Sequence, residues 1–145
     1  MTDETHCRAL ERIYLHAPTN EYYRPEIRVG AGESEIRIAI RPDFHHAAHA
    51  VHGSVYFKLL DDSGFFAANS LVPDVFVLTS NYTVHLLRPV SEGVLVARGR
   101  VVHASARQFV AESQLYDGNE KLLAHGVGTF VRSKLPLAPS LGYNA

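Results

Sequence analysis

A chain of 145 residues, 46% hydrophobic and 20% charged, is sized for one globular domain with a core of its own. Its formal net charge of −1, with no run of like charges, gives no electrostatic footprint for nucleic acid. One cysteine, Cys7, excludes an internal disulfide and the multi-cysteine zinc sites.

The opening segment, Met1 to Cys7, lacks the basic and apolar regions of a signal peptide, and no run reaches the roughly 18 apolar residues of a membrane span. These features read as a soluble cytoplasmic domain without a membrane partner. Residues 4–15 are expected to form a short helix with Ala9, Leu10, Ile13 and Tyr14 on one side, stopped by Pro18. Residues 26–29 and 35–40 read as two strands around Gly30-Ala31-Gly32. The second alternates Ile36, Ile38 and Ile40 with Glu35, Arg37 and Ala39, a half-buried pattern. Pro42-Asp43 ends it, and a histidine-rich connector runs from Phe44 to Val51.

From Ser54 to Ser70 there is no proline, and Val55, Phe57, Leu59, Leu60, Phe65 and Phe66 point in nearly every direction. A helix apolar almost all round is a buried one. Beyond Pro73 the chain turns to β. Residues 75–87 are expected to place Phe76, Leu78, Tyr82, Val84 and Leu86 on one face, with Thr79 on the other. Strands follow at 94–103, 108–116 and 121–131, the last two joined by Asp117-Gly118, a hairpin signal. Two strands, one buried helix and an antiparallel meander make an α+β domain in which a curved sheet wraps a central helix. The single domain spans 1–145, its core about 24–134, with a frayed tail expected over 136–145.

The chemistry concentrates at His52-Gly53-Ser54 and at Asp61-Asp62, where an apolar helix carries two acids. An unpaired buried carboxylate costs several kcal/mol or shifts its pKa. Free backbone N–H groups at the start of the same helix are suited to a developing oxyanion. Lys58 lies three residues before Asp61 and four before Asp62, so either acid can pair with it, and periodicity does not choose between them. His45, His46, His49 and His52 have spacings that suit zinc, but no cysteine completes a set and the helix starts after them, so no metal is expected.

The ordered set His52-Gly53-Ser54, Asp61 nine residues after the histidine, Asn69-Ser70, Pro89 with Gly93, and Gly126-Val127-Gly128-Thr129-Phe130 resembles the PaaI-like acyl-CoA thioesterases of the hotdog fold. The resemblance covers roughly residues 32–132. It implies an acyl-CoA thioesterase, a thioester hydrolase releasing a carboxylic acid and free CoA without a cofactor, coenzyme A being part of the substrate. By the family spacing, Asp61 is the general base or nucleophile and the Gly53 N–H polarises the thioester carbonyl. Thr79 falls where some relatives place a serine that orients the carboxylate or its water. His46, His52, Ser54 and Asn69 are the implied substrate contacts. The family site forms across a dimer interface, so a homodimer is implied, and tetramers are common. Ser54 replaces a second glycine, His46 an asparagine and His49 a glycine. These departures keep two other readings in view: a non-catalytic acyl-CoA or small-ligand binding module, and a hotdog hydratase or dehydratase using His52 with Asp61.

Overall fold

The computed structural model describes residues 3–144. Two N-terminal helices, α1 (Asp3–His16) and α2 (Asn20–Tyr23), precede strands β1 (Glu26–Gly30) and β2 (Glu33–Ala39). The central helix α3 (Gly53–Asn69) follows, then β3 (Val75–Leu86), β4 (Val94–Ala104), β5 (Gln108–Asp117) and β6 (Leu122–Pro136). All six strands join one antiparallel sheet in the order β1-β2-β4-β5-β6-β3. The long helix packs against every strand, so the expected arrangement of a helix wrapped by a curved sheet is the observed one.

Its composition explains that burial. Leu59 and Leu60 are fully buried, facing core residues such as Ile36, Leu95 and Leu115, and each buried side chain of this kind contributes about 1.5–3 kcal/mol. The helix comes closest to the sheet at Ser63-Gly64. A Cβ on Gly99 would lie 2.4 Å from the Ser63 carbonyl, so only glycine admits the contact. Ser34 Oγ donates to the Ser63 carbonyl at 2.6 Å, and Ser63 and Ser113 hydroxyls meet at 3.1 Å, so the polar groups at this crossing are satisfied.

The two edges of the sheet differ. Helix α1 lies along β1: Glu11 accepts the Val29 N–H at 2.8 Å and Arg8 donates to the Val29 carbonyl. At Val29, side chains thus occupy the hydrogen-bonding groups that an edge strand would offer to another strand. The outer edge of β3, twelve residues long, has no strand beside it among the described residues.

Strand β3 departs from the expected alternation. The register steps from Thr79↔Phe130 to Asn81↔Thr129, so Ser80 is an extra residue, a β-bulge. Val77 is fully buried while Leu78 is 49% exposed, and after the bulge Tyr82 turns inward. Thr79 and Tyr82 therefore share the inner face, contrary to the simple period-two reading. Nothing in the local sequence marks a bulge at Ser80.

The tail expected to fray is docked as far as Asn144, and Ala145 lies outside the described residues. A 3-10 turn at Pro139–Leu141 leads to Gly142 at φ 91, and buried Tyr143 hydrogen-bonds His6 Nδ1 at 2.8 Å. No local pattern signals this docking, because the anchor, His6, is on α1 at the opposite end of the chain. No helix among the described residues is long and apolar enough to cross a membrane.

Candidate active site

Helix α3 begins with its own cap. His52 is extended at φ −65 and ψ 143, and its Nδ1 accepts from the Ser54 N–H at 3.0 Å and from the Ser54 hydroxyl at 2.8 Å. That acceptor role assigns the neutral ring its proton on Nε2. The Ser54 N–H, one of the backbone donors expected to be free, is therefore used by the cap. The Gly53 N–H, ahead of the first helical bond, has no partner among the described residues.

Two turns on, the structure separates the two acids. Asp62 Oδ2 receives Lys58 Nζ at 2.7 Å and the Tyr14 hydroxyl at 2.7 Å. Asp61 has no ion pair among the described residues; its Oδ1 accepts from Thr79 Oγ1 at 2.9 Å. Burial is the largest influence on Asp61 and raises its pKa from 3.8 to about 6. The Thr79 hydroxyl and the Lys58 charge pull the other way, while the Asp62 charge adds to the rise. The result is a carboxylate poised close to neutral pH, the range a general base requires.

Gly53 and Asp61 are eight residues apart on one helix, which at 1.5 Å per residue is about 12 Å. A carbonyl polarised by the first and a water activated by the second would need both within about 3 Å of adjacent atoms. Within one chain the two groups cannot serve the same carbonyl.

Residues 48–124, which hold the cap, both acids and most of the sheet, match the family model described as the thioesterase superfamily. The chain belongs to that superfamily. Its architecture is the hotdog fold, shared with the Escherichia coli PaaI protein of the phenylacetic acid degradation operon at a TM-score of 0.85 and 18% identity, over 94% of this chain and 99% of that one. A conserved Pseudomonas aeruginosa protein, PA5202, is similar at a TM-score of 0.78 and 26% identity, covering 84% of this chain and 98% of its own. A candidate esterase of Saccharolobus solfataricus is 28% identical over 100 residues, 69% of this chain and 67% of its own.

Other residues expected at a thioesterase-superfamily site are placed as follows. His46 is exposed in the connector, its Nδ1 accepting the Ala48 N–H at 3.0 Å. His49 adopts φ 65, a conformation that favours glycine, which accounts for glycine being the expected residue there. Asn69 is fully buried and spent on the backbone: its amide donates to Val72 and Val75 carbonyls at 3.2 and 3.0 Å, and its oxygen accepts the Val77 N–H at 2.9 Å. It fastens the α3–β3 connection, and no polar atom of it faces the Asp61 turn in these bonds. Among the described residues, no three His, Cys, Asp or Glu side chains converge as metal ligands.

Two residues to which the sequence assigned only packing roles lie in the surroundings of this candidate site. Tyr82 lies flat on β6, where a Cβ on Gly126 or Gly128 would meet its ring at 2.4 Å, and its ring edge meets Phe57 at 5.5 Å. The Gly-x-Gly of the last strand was the available signal, since paired glycines in a strand mark a close approach. Tyr14 is the other, and no local pattern ties it to an acid 48 residues away.

Proposed function

We propose that this protein is an acyl-CoA thioesterase working as a homodimer, with Asp61 as base and the partner subunit's Gly53 N–H as the oxyanion donor. The observation that carries this reading is the unpaired, partly buried Asp61 carboxylate, its pKa raised to about 6 and oriented by Thr79. Ionised, it takes a proton from a water as that water's oxygen bonds to the thioester carbonyl carbon. The carbonyl oxygen, now anionic, is stabilised by the N–H donor. Collapse of the adduct breaks the C–S bond and releases the CoA thiolate and the carboxylic acid. One oxyanion donor contributes about 3 kcal/mol at the transition state, and a placed base about 10²–10⁴-fold. A thioester is already electrophilic, so the reading calls for no metal or redox cofactor.

The roughly 12 Å between Gly53 and Asp61 supports a site shared by two subunits. So does the open β3 edge, which carries Thr79 itself, together with exposed Leu78 and Leu86. His52 and Ser54 at the helix start and His46 in the connector before it are the proposed substrate contacts. Arg98, Arg100 and Arg132 are engaged in ion pairs with glutamates or an aspartate of this chain, which weakens their case as phosphate ligands of CoA.

Free-thiol release from a panel of acyl-CoA esters by the wild type and by Asp61→Ala tests the assignment. Turnover by the wild type and its loss in the variant support it. Equal rates overturn it, and tight acyl-CoA binding without turnover favours a binding module.

A further inference from the structure

Lys58 stands three residues before Asp61 and four before Asp62, and on an isolated helix the two pairings are of similar worth, about 0.2–0.5 kcal/mol. The folded protein commits the ammonium to Asp62. Asp62 Oδ2 accepts from both Lys58 Nζ and the Tyr14 hydroxyl at 2.7 Å. The ammonium also lies 5.3 Å from the Tyr14 ring centroid and 4.8 Å from that of Tyr23, a two-sided aromatic seat. The side chains of Lys58 and Asp62 are only 14% and 19% exposed, so neither swings into water at little cost.

We propose that Tyr14, Tyr23 and Asp62 form a clamp that holds the Lys58 ammonium away from Asp61, which makes Lys58 and Asp62 positioning residues for the reacting carboxylate. Helices α1 and α2 supply its aromatic seat and α3 its carboxylate, and Asp61 is left to Thr79. The titratable groups around Asp61 are Lys58 and Asp62 on its own helix, Tyr14 on α1 and Tyr82 on β3. Of these, Asp62 and Lys58 act on its charge in opposite senses. Without the clamp, Lys58 is released to the i+3 carboxylate, and Asp61 becomes an ion-paired acid in place of a base.

The inference rests on the thioesterase reading for its catalytic consequence, but Asp61 can be followed without turnover. The carboxyl carbon of Asp61 is titrated by NMR in the wild type, Asp62→Asn, Lys58→Met, the double variant and Tyr14→Phe, alongside the pH profile of kcat/KM on an acyl-CoA. Asp62→Asn is expected to lower the Asp61 midpoint by about one pH unit, and Lys58→Met to raise it. The double variant returns near the wild type. Tyr14→Phe, which keeps the ring and removes one hydroxyl, gives a smaller downward shift and decides the matter should Asp62→Asn not fold. An unmoved or raised midpoint in both Asp62→Asn and Tyr14→Phe overturns the clamp. Parallel movement of the kcat/KM profile confirms its role. Failure of every acyl-CoA as substrate counts against the thioesterase reading, while the NMR titration still decides the clamp.

Discussion

Thr79 Oγ1 donates to Asp61 Oδ1 across 2.9 Å, joining β3 to the helix it covers at the acid of α3 that Lys58 does not pair. A hydrogen bond to an ionised group contributes about 1.5–3 kcal/mol and favours the charged form. Thr79→Val removes the donor at nearly constant volume. It should slow thioester hydrolysis about tenfold or more and move the acid limb of the pH profile to higher pH. Thr79→Ser should retain most of the rate, and a Thr79→Val enzyme with wild-type kinetics would exclude an orienting role.

Asp61 as base requires its ionised form, so kcat/KM should fall as pH drops through about 6. The same titration acts on stability with the opposite sign to an ordinary ion-paired carboxylate. Folded, Asp61 keeps its proton up to about pH 6; unfolded, it releases it near 3.8. Between these values the folded state binds the extra proton, so its contribution to stability declines as pH rises through that window. Asp61→Asn should therefore abolish turnover while gaining about 1 kcal/mol at neutral pH, after allowance for solvent screening. Urea midpoints of the two proteins should converge below about pH 4. A variant less stable than the wild type at pH 7 would contradict this.

Gly53 occupies the first position of α3, where proline is well tolerated, and the preceding His52 is already extended. Gly53→Pro therefore deletes the proposed oxyanion donor while leaving the helix in place. The variant is expected to lose about 10²-fold or more in kcat. Co-expression with Asp61→Ala should restore about a quarter of wild-type activity, because half the statistical dimers carry one site with both groups intact. Mixed samples as inactive as their parents would place both groups in one chain.

Tyr82 occupies a slot made by two glycines of β6. Gly128→Ala places a methyl 2.4 Å from the ring, and overpacking of this kind costs about 1–3 kcal/mol. Gly99→Ala meets the Ser63 backbone, which cannot rotate aside, so it should be the more damaging of the two. Denaturant unfolding of both variants checks the ranking; a Gly99→Ala protein as stable as the wild type would show that the helix can lift.

The sequence was most readable where chemistry is local. Punctuation by Pro18 and Pro73 and the all-round apolar run from Ser54 to Ser70 place α1 and α3 within a residue of those observed. The expected strand at 121–131 is the same β6, which continues to Pro136. What the sequence did not carry was contact between distant segments. The family spacing singled out Asp61, but that Asp62 receives both Lys58 and the Tyr14 hydroxyl depends on a residue of α1 that no helix periodicity in α3 can reveal. Short α2 was missed because four residues hold no period. The Ser80 bulge reversed the faces of half of β3, and Asn69, with the polar character of a ligand contact, proved to be a backbone fastener. In both cases the deciding partners lie outside the local window.

The unequal edges of the sheet limit how this protein can assemble. Where Arg8 and Glu11 engage Val29, no further strand has groups to bond at that position. The more open port for growth by strand addition is thus along β3, while α1 lies across β1 at Val29. Two copies joined there would have used that port, leaving only β1 edges that α1 partly covers, which favours a closed pair over a fibre.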